Sequence, residues 1–245
     1  MCEMQQATPL SVQIMHRIIH EMQCGAYQYM TRLPSEVEIA GSLGVSRTVV
    51  RDSLSIMERE GYVTRKHGLG TIINRHVLSV TTRIDLEKEF LEMIRDAGFT
   101  PSVSSLEIHE DRADASLAQL MQLAQGDEII RVDRLVCADG TPAIYCQDFI
   151  AKKMIVKKNY HKEDLAHPIF DFLKKFCNTD VYLDLTEMHA VNADRELAQR
   201  MEIPEGTAVL HLNERGYNIR GEIVLCSREF YRDDILSHTI LRMKI

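Results

Sequence analysis

The side chains best suited to recognition chemistry are Arg47, Thr48 and Arg51, which follow Ser46. A serine before an apolar-periodic run is a typical helix N-cap, and residues i and i+4 lie on one face of a helix. The two arginines would therefore project together from the first turns of a helix. A guanidinium can donate two hydrogen bonds to O6 and N7 of guanine, or bind phosphate oxygens. The spacing predicts a surface that reads the major groove of DNA.

A second capped helix is predicted just before this one, over residues 35–43. Ser35 and Glu38 have the spacing of a capping box, and Gly44 suits a turn that needs a positive φ. The Ser46 helix is predicted to reach residue 60, and an amphipathic helix is predicted over Leu10–Cys24. Apolar residues at helical spacing predict one shared core, which includes Ile39, Leu43, Val50, Leu54 and Met57.

A basic hairpin is predicted after the helices, from strands at 62–66 and 71–74 joined by His67-Gly68-Leu69-Gly70. Glycines at its tip would let the backbone approach phosphate or the minor groove, as in a winged helix-turn-helix. The alternative is a plain three-helix subdomain with solvated arginines, but it does not explain the two caps, the glycine turn and the basic hairpin together. The predicted DNA-binding residues are Ser35, Ser46, Arg47, Thr48, Arg51, Lys66, His67, Gly68 and Gly70.

The charge distribution agrees with this prediction although the net charge of the chain is −7. Residues 1–75 hold eight Lys and Arg against seven Asp and Glu, whereas the rest of the chain holds 21 against 29. Residues 47–75 hold six basic and three acidic side chains. Because a local basic face suffices to attract phosphate, the overall acidity does not exclude DNA.

The second part of the chain mixes helices and strands. Asp139-Gly140 and Arg220-Gly221 are turn signals between strands predicted at 128–138 and 142–150, and at 209–217 and 222–231. Further strands are predicted at 102–108 and 181–189, and helices at 85–97, 113–123, 167–176 and 193–201. Hairpins imply antiparallel pairing, so the predicted class is mixed α/β of the α+β type. We find no internal repeat, and we expect a DNA-binding domain at 1–75, a linker at 76–84 and a second domain at 85–245.

The stretch LPSEVEIAGSLGVSRTVVRDSLSIMEREGYVTRKHGLGT resembles the GntR family of bacterial regulators. The second domain is similar to the HutC-type (UTRA) effector domain of that family. Its marks are Arg131-Val132-Asp133-Arg134, Asp139-Gly140-Thr141-Pro142 and the end of the chain from Gly221 to Asp234. The resemblance implies a homodimer, a palindromic operator, and an effector domain with a chorismate-lyase-like antiparallel sheet. It places DNA contacts at Arg47, Thr48 and Arg51 and in the wing, and it usually has an arginine where this chain has Val37.

The resemblance also implies a small-molecule effector site at Arg134, Val136, Cys146, Leu225 and Tyr231. In members that bind sugar phosphates the middle three positions are arginine or glutamate. Their loss would leave buried sugar hydroxyls unpaired, at about 1–3 kcal/mol each. We therefore expect a ligand less polar than an amino-sugar phosphate, with one anionic or carbonyl group at Arg134. The alternative is that Arg134 is structural; Glu214, Tyr217 and Arg228 are further polar candidates.

Other chemistry is not expected. His16 and His20 lack a third metal ligand, no cofactor or catalytic motif occurs, and the six cysteines are expected to be free and mostly buried thiols. We expect neither a signal peptide nor a membrane span, and hence a cytoplasmic protein. Because no catalytic motif and no paired acid and base are found, we expect that it is not an enzyme. Two alternatives are a DNA-binding protein whose second domain only dimerises, and a lyase-type enzyme fused to a DNA-binding head.

Overall fold

The computed structural model describes residues 9–80, 82–86 and 88–243. The chain divides into two compact units. The first extends to Asp85 and includes the segment from Thr239 onward, and the second is Leu86–His238. The C-terminal segment thus belongs to the first unit, where Thr239 pairs through its backbone with Thr82 and Ile84 at 2.9 and 3.0 Å.

The first unit is a three-helix subdomain with a β-hairpin. Ser35 makes both bonds of the predicted capping box, and Gly44 ends the second helix at a φ of +66°. The core residues Ile18, Ile39 and Leu54 are almost completely buried. The elements are α1 (Leu10–Cys24), α2 (Glu36–Leu43), α3 (Arg47–Arg59), β1 (Val63–Lys66), β2 (Gly70–Ile73) and α4 (Arg75–Leu78).

Two arginines, Arg75 just before the predicted linker and Arg83 within it, bind groups of the first unit. Arg75 donates hydrogen bonds to the carbonyls of Met22, Tyr27 and Met30 at 2.5–2.6 Å. Arg83 binds the Asp85 carboxylate and the carbonyl of Glu60. Polarity in this stretch therefore serves intramolecular bonds.

The second unit contains one six-stranded antiparallel sheet in the order β3-β4-β5-β8-β7-β6, which confirms the predicted α+β class. Its strands are β3 (Pro101–Arg112), β4 (Glu128–Ala138), β5 (Thr141–Ala151), β6 (Leu183–Asn192), β7 (Ala208–Tyr217) and β8 (Ile223–Tyr231). Its helices are α5 (Phe90–Asp96), α6 (Ala115–Leu120), α7 (Ile169–Phe172), which continues as a π-helix over Leu173–Cys177, and α8 (Arg195–Arg200). Short 3-10 turns lie at Lys152–Met154 and Lys162–Leu165.

The sheet consists of two similar halves, so the prediction of no internal repeat is wrong. A strand, a short helix and a hairpin recur as β3-α6-β4-β5 and β6-α8-β7-β8, and the strand order is symmetric about the β5–β8 pair. Asp114 caps α6 and Asp194 caps α8, each by accepting from the N–H three residues on. At an offset of 80 the identical pairs include Ala113 and Ala193, Leu117 and Leu197, Met121 and Met201, and Gly126 and Gly206. Most other positions have diverged, which hides the repeat.

Helices cover both faces of this sheet. Leu117 of α6 packs with Phe149 on one face, where Leu197 of α8 packs with Tyr145. Ile150, which points to the opposite face, packs with Phe172 of α7. As predicted, the described cysteines are free: Cys24 is exposed and Cys137, Cys146, Cys177 and Cys226 are buried, while Cys2 lies outside the described residues.

Candidate nucleic-acid interface and ligand cavity

The first turns of α3 carry the predicted arginines on the surface. Ser46 caps the helix by accepting from the N–H of Val49, and Thr48 is exposed. The Arg47 and Arg51 side chains are 60% and 57% exposed. The structure therefore places all three predicted contact residues together on an accessible helix end.

Glu36 of α2 holds the two guanidinium groups in place. Its carboxylate lies 2.9 Å from Nη2 of Arg51 and 3.6 Å from Nη2 of Arg47. The hydrogen bond from Arg51, helped by the charge of Arg47, lowers the pKa of Glu36. Both arginines are thus paired with one carboxylate and exposed to solvent. A phosphate or a base of DNA can therefore replace Glu36 as their partner.

The hairpin tip is open and has the predicted composition. Lys66, His67, Gly68 and Gly70 are all exposed. Gly68 and Gly70 have φ values of +77° and +78°, a conformation that side chains disfavour, so the tip needs glycine. Arg65, near the turn end of β1, binds Glu58 of α3 at 2.7 Å and so fixes the hairpin against the helix.

Two members of the predicted basic face are structural. Arg65 is neutralised by Glu58, and the guanidinium of Arg75 is used by backbone carbonyls. Val37, where the resembled family usually has arginine, is 56% exposed on the first turn of α2 and offers no hydrogen bond to DNA. The accessible cations are therefore concentrated at α3 and at Lys66.

The second unit contains a cavity that is open to solvent. Its volume is about 590 Å³ when the open mouth is included. It lies on the sheet face that α5 and α7 cover. Of the predicted effector residues, Arg134, Val136 and Leu225 line it. Cys146 and Tyr231 lie behind the lining, where Cys146 donates to Asp148 at 3.4 Å and the Tyr231 hydroxyl donates to Glu229. Its walls are Lys88, Glu89, Phe90, Leu91, Val103, Arg134, Val136, Asp148, Ala166, His167, Pro168, Ile169, Phe170, Glu214, Leu225, Ser227 and Glu229.

Arg134 is 5% exposed and is bound on several sides by the protein itself. Its Nη1 donates to Asp148, and its Nη2 donates to the carbonyls of Leu165 and His167 at 2.9 and 3.2 Å. Asp148 also accepts from Ser227 at 2.7 Å. These contacts favour the alternative prediction, that Arg134 is structural, over a free anchor for an anion.

The cavity is acidic, a property that sequence reasoning missed. Glu89, Asp148, Glu214 and Glu229 all line it. Burial, reinforced by Asp171, raises the pKa of Glu89 to about 7. Burial also raises the pKa of Glu214 to about 7, while the hydroxyl of Thr186 acts against the shift. Both carboxyl groups therefore titrate near neutral pH.

Strand register explains which polar candidates reach the cavity. Glu214 does, whereas Arg228 lies on the opposite face, with its guanidinium 5.3 Å from the ring centre of Phe149. Tyr217 is not among the lining residues of the described chain. The signal in the sequence is a charged residue among apolar neighbours at alternate positions of a buried strand, as for Asp148 between Cys146 and Ile150.

A second acidic group lies outside the cavity on β3 and β4. Glu107, His109 and Asp133 have potential metal-binding atoms within 4.8 Å of one another. Arg131 Nε, however, lies 3.0 Å from Asp133, so a cation already neutralises the buried carboxylate of this group. The arrangement can be explained as a salt bridge.

Comparisons with known proteins match both units. Residues 10–73 match the sequence profile of the bacterial regulatory proteins of the gntR family, and residues 96–237 match the UTRA domain. The HTH-type transcriptional repressor NagR of Bacillus subtilis (strain 168) is 24% identical over 230 residues, which cover 94% of this chain and 93% of NagR. The HTH-type regulator YurK of the same organism is 20% identical and covers 96% of each chain.

Two solved structures share the fold. YydK from Bacillus subtilis superposes with a TM-score of 0.76 at 16% identity, over 96% of this chain and all of that one. PhnF from Mycobacterium smegmatis superposes with a TM-score of 0.57, also at 16% identity, over 97% of this chain and all of that one. Within the described residues, no helix combines the length and the apolar character needed to cross a membrane.

Proposed function

The chain belongs to the gntR-family transcriptional regulators that carry a UTRA domain, and we propose that it is a repressor of transcription. It binds a specific operator, and its operator affinity changes when a small molecule binds in the second unit. Its relative NagR is named a repressor, which supports this direction of control. The relatives found are named as transcriptional regulators, which favours regulation over the lyase-type alternative.

The observation that carries the DNA-binding role is the exposed end of α3 beside the glycine hairpin. A capped helix N-terminus with Arg47, Thr48 and Arg51 accessible has the geometry of a recognition helix in the major groove. Lys66 and His67 at the hairpin tip can bind the neighbouring backbone. Ser35 and Ser46 serve this surface by fixing the two helix ends.

The cavity supports the ligand-responsive role. A domain that only dimerised would gain stability by filling this space with apolar side chains, because buried carboxylates without a strong partner are costly. The retained polar walls support a binding role, because ligand sites commonly join apolar surface to a few polar groups.

The test is operator binding by point variants. Selection from a random duplex pool would supply the operator, and we expect a palindrome if the protein binds as a homodimer. Arg47→Ala and Arg51→Ala should each weaken binding by about 1–3 kcal/mol at fixed salt, and each should relax the preference at one base pair. His67→Ala should weaken binding with less loss of discrimination.

The matched control is Arg59→Ala, because Arg59 is an exposed arginine on the last turn of the same helix. It should bind operator nearly like the unmodified protein. If Arg47→Ala and Arg51→Ala both bind as tightly as Arg59→Ala, α3 is not the recognition helix.

A further inference from the structure

We propose that the cavity of the second unit binds an organic cation, a small molecule with a protonated amine and an apolar body. The inference rests on the proposed effector role of this unit and names the chemical class of the effector. It replaces the sequence-based expectation of an anionic or carbonyl group at Arg134.

At pH 8 the ionised side chains of the cavity leave a negative surplus. Four carboxylate residues line it, against Lys88, Arg134 and the imidazole of His167. Arg134 is paired with Asp148, and the Lys88 ammonium lies 2.5 Å from Asp96. Lys88 and Arg134 thus already have carboxylate partners.

Glu229 accepts a hydrogen bond from the Tyr231 hydroxyl, and the surplus that a ligand can meet lies on Glu89 and Glu214. Within the described chain, no lysine, arginine or histidine lies at ion-pair distance from either carboxylate. Glu214 accepts a hydrogen bond from a neutral group, the Thr186 hydroxyl at 3.0 Å. An anionic ligand would be repelled here, whereas an ammonium group would supply the missing counter-charge.

The surroundings of the two carboxyl groups make them respond to a cation. Glu89 faces Asp171, Asp148 and Glu92, with Arg134 as the opposing cation, and its pKa is about 7. Glu214 faces Asp184 and Asp148, and its pKa is also about 7. A bound ammonium favours the ionised form, so binding should lower both pKa values and release protons at neutral pH.

The rest of the lining suits an apolar body. Phe90 and Phe170 contribute aromatic rings, which attract cations through their faces, and Val103, Ile169 and Leu225 add aliphatic surface. A bare divalent ion would prefer six or more oxygen ligands and would gain nothing from these walls. Charge and apolar surface together point to an alkylamine or a similar ligand.

The test is calorimetric titration of the full chain without DNA. The probes are butylamine and 1,4-diaminobutane, with butyrate, 1-butanol and glucosamine 6-phosphate as comparisons. At pH 8 we expect an amine to bind at least tenfold more tightly than butyrate or 1-butanol. Tighter binding of butyrate or of glucosamine 6-phosphate, or equal binding of 1-butanol, would overturn the inference.

Side-chain variants locate the binding. Glu89→Gln and Glu214→Gln keep the shape and remove the charge, so each should weaken amine binding at least tenfold. The control is Glu205→Gln, an exposed carboxylate of the same unit, which should leave it unchanged. Thermal melts of the free proteins check folding. Amine binding that survives in both cavity variants would contradict the assignment.

The pH dependence gives an independent readout. Above pH 7 both carboxylates are ionised and ready for the cation, and below pH 7 protonation competes with it. If binding lowers each pKa to 5 or below, the affinity should fall about tenfold per carboxylate between pH 8 and pH 6. Proton release should appear as a binding enthalpy that changes with the ionisation enthalpy of the buffer; a flat pH profile without proton release would contradict the inference.

These titrations contain no DNA, so the two proposals can fail separately. A protein that binds its operator but no amine overturns the cation inference alone. A protein that binds an amine but no operator overturns the proposed function.

Discussion

Partners within the fold decide whether an arginine of this protein stabilises the structure or meets a ligand. Arg75 is held by three carbonyls of the first unit, and Arg134 by Asp148 and two carbonyls of the second. Arg47 and Arg51 share one carboxylate and remain more than half exposed. Charge alone therefore does not identify a binding residue; the number of acceptors already bound does.

Alanine variants of Arg75 and Lys66 should distinguish a residue that stabilises the fold from one that binds DNA. Arg75→Ala leaves three carbonyls without their charged donor, so we expect a loss of about 2 kcal/mol of folding free energy. Lys66→Ala removes an exposed charge at the hairpin tip and should change stability by less than about 0.5 kcal/mol. Urea unfolding measures the first effect, and gel shifts at fixed salt should show weaker DNA binding for Lys66→Ala. Equal unfolding midpoints for both variants would refute the structural role of Arg75.

The candidate sites could be predicted from sequence where they depend on interactions between residues close together in the chain. The caps at Ser35 and Ser46 depend on residues three positions away, and the structure shows both. The surroundings of Arg134 depend on acceptors 14, 31 and 33 residues away, which only the sheet and the following loop bring together. The acidity of the cavity likewise arises from three strands, β5, β7 and β8, and from Glu89 just before α5, so no single motif encodes it.

At the scale of secondary-structure elements, the N-terminus of α3 combines a stabilising cap with a surface proposed to meet DNA. Ser46 both caps α3 and sits on the surface offered to phosphate. Ser46→Ala should cost about 1 kcal/mol of stability because the cap is lost. Ser46→Asp keeps a capping oxygen, as Asp114 and Asp194 do elsewhere in the chain, but adds a negative charge facing DNA.

The two variants should therefore behave differently. Ser46→Asp should have the same free energy of unfolding as the unmodified protein and still lose operator affinity. Ser46→Ala should mainly lose free energy of unfolding. Urea unfolding and gel shifts on the same samples test the pair. If Ser46→Asp binds operator normally, the N-terminus of α3 does not approach phosphate.

The sequence predicted which strands and helices exist better than it predicted where they begin and end, or that the sheet has an internal repeat. The helix predicted over 85–97 is shorter in the structure, Phe90–Asp96, and α7 continues as a π-helix that periodicity does not reveal. The internal repeat was missed because its identities are concentrated in and beside the short helices α6 and α8, at positions such as Asp114, Leu117 and Gly126. The strands between them diverged, and at the offset of 80 one half has Arg134 where the other has Glu214.

At the scale of the whole molecule, the edge strand β6 needs a covering partner. Tyr182, Leu183, Leu185 and Met188 are 69%, 51%, 48% and 49% exposed at this edge. An exposed apolar edge strand of ten residues invites uncontrolled pairing, which native proteins prevent by covering or charging it. Because a palindromic operator needs two DNA-binding heads, we expect a second copy of this chain to cover it.

The last prediction tests this assembly with charges placed on one face of β6. Leu183→Glu combined with Leu185→Glu should convert a homodimer into monomers in sedimentation experiments at micromolar concentration. Operator affinity should then fall by at least a hundredfold, because two heads no longer bind as one ligand and the gain from bivalency is lost. The matched control is Val156→Glu, which charges a loop side chain that is 68% exposed and should leave both properties unchanged. Since the variants add charge only at the surface, the free energy of unfolding of the monomer should hardly change. An unmodified chain that sediments as a monomer, or a β6 variant that remains dimeric, would show that this edge does not join the two copies.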